Sequence, residues 1–152
     1  MNIFPFLLDF YKCYSQLTLQ QIQGGPKYVI QSAVVRTMRA VKKDILTLLT
    51  TYFEKCDNPT LVDNIYPPIL EAMIVDYQAS PNEAKDVEVL TTCTALVTLL
   101  KGAASKECFR LFEQIYVPTV WMCQPNFEDF PEHREKIFGL VQQLVNNCFP
   151  SK

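Results

Sequence analysis

Ile65-Tyr66-Pro67-Pro68 and Ile115-Tyr116-Val117-Pro118 share the pattern Ile-Tyr-x-Pro at an offset of 50 residues, and Ile3-Phe4-Pro5-Phe6-Leu7-Leu8 is a weaker third copy. After each copy come apolar residues at helical spacing, a loop, and another amphipathic stretch. A helix pair cannot bury both of its apolar faces alone, so units of this kind stack on their neighbours. The spacing slightly exceeds the roughly 40–47 residues of HEAT-type repeats. The expected fold is therefore all-α: a right-handed α-α superhelix (HEAT-repeat solenoid) of about six antiparallel helices in three stacked pairs, with residues 1–152 as one segment.

Outward from the repeated pattern, the boundaries follow from turn and cap chemistry. The first helix runs from Phe6 to about Ile22, ahead of Gly24-Gly25-Pro26. The second spans about Ser32 to Cys56, with a core stripe of Val34, Met38, Val41, Ile45, Leu48, Tyr52 and Cys56; Arg36, Arg39 and Lys43 fall on another face. Asn58-Pro59 reads as an N-cap followed by Pro at the first helical position. The third helix, about Pro59 to Tyr77, is expected to kink at Pro67-Pro68. Ser80-Pro81-Asn82-Glu83 has capping-box spacing and is expected to start a fourth helix, with stripe Leu90, Cys93, Val97 and Leu100, ending at Gly102. A fifth, capped at Ser105, carries Phe109, Phe112, Tyr116 and Val120. Pro131 opens a sixth with Ile137, Val141, Leu144 and Cys148, and Pro150 closes it.

Composition narrows the function classes. The chain is 49% hydrophobic and 20% charged, which argues against disorder. No apolar run approaches the roughly 18 residues of a membrane span, and the start lacks a basic n-region, so no secretory signal and no membrane insertion are expected. Net charge is +4 over residues 1–56 and −6 over residues 57–152. That balance lacks the concentrated positive charge of a direct nucleic-acid binder. An acidic second half attracts basic protein surfaces. The six cysteines at 13, 56, 93, 108, 123 and 148 form no Cys-x-x-Cys pair and sit mostly among apolar residues, as reduced, buried cysteines do.

Catalytic constellations are missing from the sequence. The single histidine, His133, stands in the first turn of a helix, where local capping or pairing is expected. No metal is expected, because no zinc-ligand spacing is present; no cofactor is expected, because there is no glycine-rich phosphate loop. The carboxylate pairs Asp86/Glu88, Glu128/Asp129 and Glu132/Glu135 lie at helix starts or in loops, where acids favour the positive end of the dipole. Arg36, Arg39, Lys42 and Lys43 read as a solvated outer face, with contact to phosphate or an acidic partner as the alternative. Tyr66, Tyr77, Phe109, Phe112, Tyr116 and Trp121 are expected in the core.

Several stretches resemble the exportins of the karyopherin beta family. They are Tyr11-Lys12-Cys13, Arg36-Thr37-Met38-Arg39-Ala40-Val41-Lys42, Pro67-Pro68-Ile69-Leu70-Glu71-Ala72, Asp76-Tyr77-Gln78, Glu88-Val89-Leu90, Phe127-Glu128-Asp129-Phe130-Pro131-Glu132-His133-Arg134 and Asn147-Cys148-Phe149-Pro150. The resemblance covers almost the whole chain but only a small, late part of such a receptor. It implies inner helices at about 5–23, 59–77 and 106–124 and outer helices at about 32–56, 84–101 and 131–149. It also implies a non-catalytic receptor that binds leucine-rich export-signal cargo together with Ran-GTP, has nucleoporins among its further partners, and shuttles between nucleus and cytoplasm. Polar residues on the implied inner helices, Asp9, Lys12, Glu71, Asp76 and Glu113, are the expected protein-binding positions. A HEAT-like scaffold unrelated to transport, such as a phosphatase regulatory subunit, predicts the same fold without a response to Ran. On the exportin reading each terminal helix lacks a neighbour, which favours self-association.

Overall fold

A computed structural model of the chain describes residues 3–58, 63–100, 105–126 and 128–148. The helices are α1 (Phe4–Gln23), α2 (Ala33–Lys55), α3 (Tyr66–Ala79), α4 (Glu88–Leu100), α5 (Ser105–Leu111), α6 (Val117–Cys123) and α7 (Pro131–Cys148). A π turn, Phe112–Tyr116, joins α5 to α6, so these three form one inner helix. The expected helix start at Pro59, the stops at Gly102 and Pro150, and the side chain of Cys148 fall outside the described residues.

Packing separates two layers. α2, α4 and α7 pack side by side as one layer, the outer one on the exportin reading, with α4 in the middle. α1, α3 and the π turn pack in the same order as the other layer, the inner one on that reading. Each inner helix also packs on its outer partner, α1 on α2, α3 on α4 and α6 on α7. α1 and α7 share no extended contact among the described residues. The order is that of three stacked helix pairs, an all-α solenoid, and not of a bundle closed on itself. The middle pair is accordingly the most buried: Ile69, Leu70, Met73, Ile74 and Tyr77 on α3, and Val89, Leu90, Cys93, Leu96, Val97 and Leu100 on α4. The whole expected α4 stripe lies in this core.

Local chemistry explains the ends. Ser32 caps α2 by accepting a hydrogen bond from the Val35 amide at 3.3 Å. Pro67 and Pro68 do not kink a longer helix. They occupy the first turn of α3, where a missing N–H costs nothing because those amides have no helical acceptor. Residues 63–65 before them form a turn. Pro118 sits inside the third inner helix, where its ring would collide with the carbonyl four residues back. The π turn relieves this, and the Val117 amide reaches back five residues to the Phe112 carbonyl.

Four expectations are corrected by the structure. The buried face of α2 runs through Val35, Lys42, Ile45, Leu46, Leu49 and Phe53, with Val34 and Leu48 exposed. It is rotated from the apolar stripe because it contains a lysine. The third inner helix likewise buries Cys108, Leu111, Ile115 and Thr119, leaving Phe109, Val120 and Trp121 exposed. Ser80 does not start the fourth helix: its hydroxyl donates to the Asp76 carbonyl at 2.8 Å, a short 3-10 turn follows at Asn82–Ala84, and α4 begins at Glu88. Finally, Cys13, Cys56, Cys93 and Cys123 are free thiols, whereas Cys108 is disulfide-bonded, so the expectation of reduced cysteines fails there.

Candidate protein-binding site

Four of the five expected contact residues reach solvent on the inner layer. Asp9 and Lys12 are exposed on α1, Glu71 on α3 and Glu113 in the π turn. Glu71 is held by an ion pair with Arg110 of α5, which ties two neighbouring inner helices together at the surface. An exposed pair of this kind adds little stability, but it fixes where the carboxylate sits. Asp76 is different. It is 3% exposed and turned away from the free face into the stack, so contact with a partner there would require opening the core.

Asp76 belongs to a buried ionic cluster that joins three helices and a linker. Lys42 Nζ of α2 lies 2.9 Å from Asp76 Oδ1 and 2.7 Å from Oδ2. The same ammonium lies 3.0 Å from Asp86 Oδ2, an ion pair without hydrogen-bond alignment. Arg39 Nε donates to Asp86 Oδ1 at 3.0 Å. Tyr11 of α1 donates its hydroxyl to Asp76 Oδ2 at 3.0 Å, and its ring lies below Lys42 Nζ, 5.7 Å from the centroid. Two cations thus face two anions, with Lys42 at 1% and Asp86 at 4% side-chain exposure. Burial first, and then the charges of Asp76 and Asp86, hold the Tyr11 phenol well above its usual range.

The linker 85–87 is held against the stack by this cluster. Asp86 must point into the stack to meet Lys42 and Arg39. Lys85 turns the other way and donates its ammonium to the carbonyls of Tyr77 and Ser80, satisfying the end of α3. Burial lowers the Lys85 pKa, opposed by Asp76. The expectation of a solvated basic face on α2 is therefore corrected at Lys42 and Arg39, and that of a helix-start acid at Asp86. The remaining junctions are also bridged by polar atoms. The hydroxyls of Thr50 and Thr92 link α2 to α4 at 2.7 Å, and those of Tyr77 and Thr119 link α3 to α6 at 2.5 Å.

His133 completes the chain of bridges. Its Nε2 lies 2.8 Å from the Lys85 carbonyl, so the first turn of α7 is tied to the α3–α4 linker, a long-range contact and not a local one. Burial lowers the His133 pKa, while the Lys85 carbonyl, Glu132, Asp86 and Glu88 pull it back up. The unfolded chain takes up this proton near 6.5 and the folded chain only at lower pH, so stability falls as pH drops below 6.5. NMR titration of the imidazole should give a midpoint below 6.5; a midpoint at or above that value would mean the ring is solvated.

Among the described residues no group of three or more His, Cys, Asp or Glu is arranged to hold a metal ion, and no helix is long and apolar enough to cross a membrane. The features that remain are a stack of helix pairs, a free inner face carrying Asp9, Lys12, Glu71 and Glu113, and a buried polar seam that registers one pair against the next. They define an all-α solenoid built of stacked helix pairs. The chain belongs to the CRM1 C-terminal family, which matches residues 1–151. It is 35% identical over 149 residues to exportin-1 of Dictyostelium discoideum, covering 97% of the chain. It is 32% identical over 150 residues both to Protein EXPORTIN 1A of Arabidopsis thaliana, covering 98% of the chain, and to exportin-1 of Drosophila melanogaster, covering 97%. The chain spans 14% of the length of each of these relatives.

Proposed function

We propose that the chain works as a segment of a nuclear export receptor, a non-catalytic scaffold that carries leucine-rich export-signal cargo out of the nucleus with Ran-GTP and shuttles between nucleus and cytoplasm. The observation that carries this reading is the match along nearly the whole chain to the CRM1 C-terminal family and to exportin-1 relatives. The structure supplies a physical role that suits it. In a solenoid of stacked pairs, small rotations between neighbours add up and link events at separate places on it. Asp9, Lys12, Glu71 and Glu113 are the proposed contacts on the free inner face. Asp76 is proposed to act from within, by holding α1, α2 and the linker in register.

A chimera tests this. The 152-residue segment replaces the corresponding stretch of the Dictyostelium exportin-1, and export of a reporter bearing a leucine-rich signal is followed in cells lacking the native receptor. The chimera should restore export. Glu71→Lys with Glu113→Lys should weaken assembly with Ran-GTP and cargo several-fold in a pull-down, at unchanged stability. A chimera that is stable but inert in export would count against the transport reading and favour an unrelated HEAT-like scaffold. Normal assembly by the charge-reversed form would remove the two glutamates from the contact face.

A further inference from the structure

We propose that the peptide unit joining Lys85 to Asp86 is a mechanical junction that couples the first helix pair to the third, so that displacing either pair displaces the other. All three pairs meet at this unit. The Asp86 carboxylate is held by α2 of the first pair, through Arg39 Nε at 3.0 Å and Lys42 Nζ at 3.0 Å. The Lys85 carbonyl accepts from His133 Nε2 of α7, in the third pair, at 2.8 Å. The Lys85 ammonium holds the end of α3 in the middle pair, through the carbonyls of Tyr77 and Ser80. α2 and α7 share no extended contact of their own among the described residues.

The junction is stiff at every point. A peptide group is planar and does not stretch, so the carbonyl that His133 holds and the backbone nitrogen of Asp86 move together. Lys85 and Asp86 are both buried, and neither can swing into solvent to take up slack. At the third-pair anchor the Phe130 ring packs edge-on against the imidazole, with centroids 5.8 Å apart, which fixes the direction of its N–H bond. On the first-pair side Lys43 also pairs with Glu88 at 3.6 Å, so the start of α4 follows α2 as well. In conformational transitions packed helices shift by about 1–2 Å. A hydrogen bond of 2.8 Å does not survive such a shift. A movement of α2 that carries Asp86 with it must therefore either turn α7 or break the His133 contact. Coupling of this kind is reciprocal: a partner that turns the first pair acts on the third, and one that turns the third acts on the first. The coupling follows from the stack itself and holds whether or not the chain serves in transport.

Native-state hydrogen exchange on the 152-residue chain tests the proposal. Asp86→Ala cuts both ties to α2 and leaves Lys42 paired with Asp76. Arg39→Met is the milder cut, at a side chain 26% exposed, and takes its place if circular dichroism shows that Asp86→Ala does not fold. His133→Phe cuts the other anchor and keeps a ring against Phe130. Cutting the first-pair anchor should speed exchange at residues 134–140 of α7 by about tenfold, and His133→Phe should do the same at residues 36–43 of α2. Thr50→Val removes a bridge between α2 and α4 that bypasses the junction, and should leave residues 134–140 at the wild-type rate. Urea unfolding gives the coupling directly. The unfolding constant of Arg39→Met/His133→Phe should lie at least about fivefold below the product expected from the two single variants, because with one anchor cut the other has nothing to transmit. Exchange that changes only in the pair carrying the substitution, equal acceleration of α7 by Thr50→Val, or single effects that simply multiply would each overturn the proposal.

Discussion

Replacing Lys42 with Met should cost about 3–5 kcal/mol of folding stability, the range for removing one partner of a buried ion pair. The substitution keeps most of the side chain's volume, so the cost is electrostatic and not that of a cavity. It leaves Asp76 with only the Tyr11 hydroxyl, in a site 3% exposed, and leaves Asp86 with Arg39 alone. A carboxylate stranded in that way must either stay charged without a counterion or take up a proton; both disfavour the fold. Urea denaturation at neutral pH measures the loss. The double variant Lys42→Met/Asp76→Asn should recover most of it, because removing both charges removes the uncompensated one while the amide oxygen still accepts from Tyr11. A single-variant loss under about 1 kcal/mol would mean that water reaches the cluster and that the ion pairs behave as exposed ones. Hydrogen exchange adds a second readout. Since the cluster joins α1, α2, α3 and the linker, Lys42→Met should speed exchange in α1 and α2 before α7.

How much of this was legible in the sequence depended on whether a boundary or a face was being read. Boundaries came from residues with few options. Gly24-Gly25-Pro26, Ser32 and Pro131 placed the ends of α1, α2 and α7 to within a residue or two. Repetition of Ile-Tyr-x-Pro pointed to the stacked-pair architecture, although its proline opens the helix at Pro67 and lies inside it at Pro118. Faces were harder wherever a polar side chain is buried. Lys42 is a surface residue by type, so the apolar stripe of α2 lies about one position off its buried face. Thr119 had the same effect on the third inner helix, where the π turn also shifts the register. Ser80 and Asp86 look like caps when seen alone, so the sequence points to an earlier start for α4 than Glu88. Their actual partners, the Asp76 carbonyl and the Lys42–Arg39 pair, lie on α3 and α2. One signal was available: Lys42 stands three or four residues from Met38, Ile45 and Leu46, a charged residue inside an apolar pattern. Of the expected contact residues, Asp76 was indistinguishable by type from Asp9 or Glu71, since only the tertiary packing shows which carboxylate has a buried lysine to meet.

Alkali should unfold the chain between about pH 10 and 12, because buried thiol and phenol protons must then be released. Cys93 lies at 0% exposure in the middle of α4, and burial alone pushes its thiol from 9.0 up to about 12. The unfolded chain releases this proton from about pH 9, and the folded chain holds it until about 12. Stability from this group is therefore fully present below pH 9 and is lost as pH rises through 12, by about 4 kcal/mol in all. Tyr77 and Tyr11 act with the same sign. Burial is the main cause of both raised values, aided at Tyr11 by Asp76 and Asp86, so each phenol favours the fold below pH 10 and loses that contribution above it. Lys85 runs the other way. Burial lowers its pKa, so its contribution improves as pH rises toward the usual 10.5, but it is one group against three. Domains of this size have only about 5–15 kcal/mol in hand, so cooperative loss of helix is expected between about pH 10 and 12. Denaturation midpoints measured from pH 8 to 11 should fall steeply in the wild type. They should fall less steeply in Cys93→Ala and in Tyr77→Phe, even though each variant starts from a lower stability, having lost packing in one case and the Thr119 hydrogen bond in the other. Equal slopes in all three proteins would show that neither group is shielded, and would place water inside the middle pair that the stack is built to keep dry.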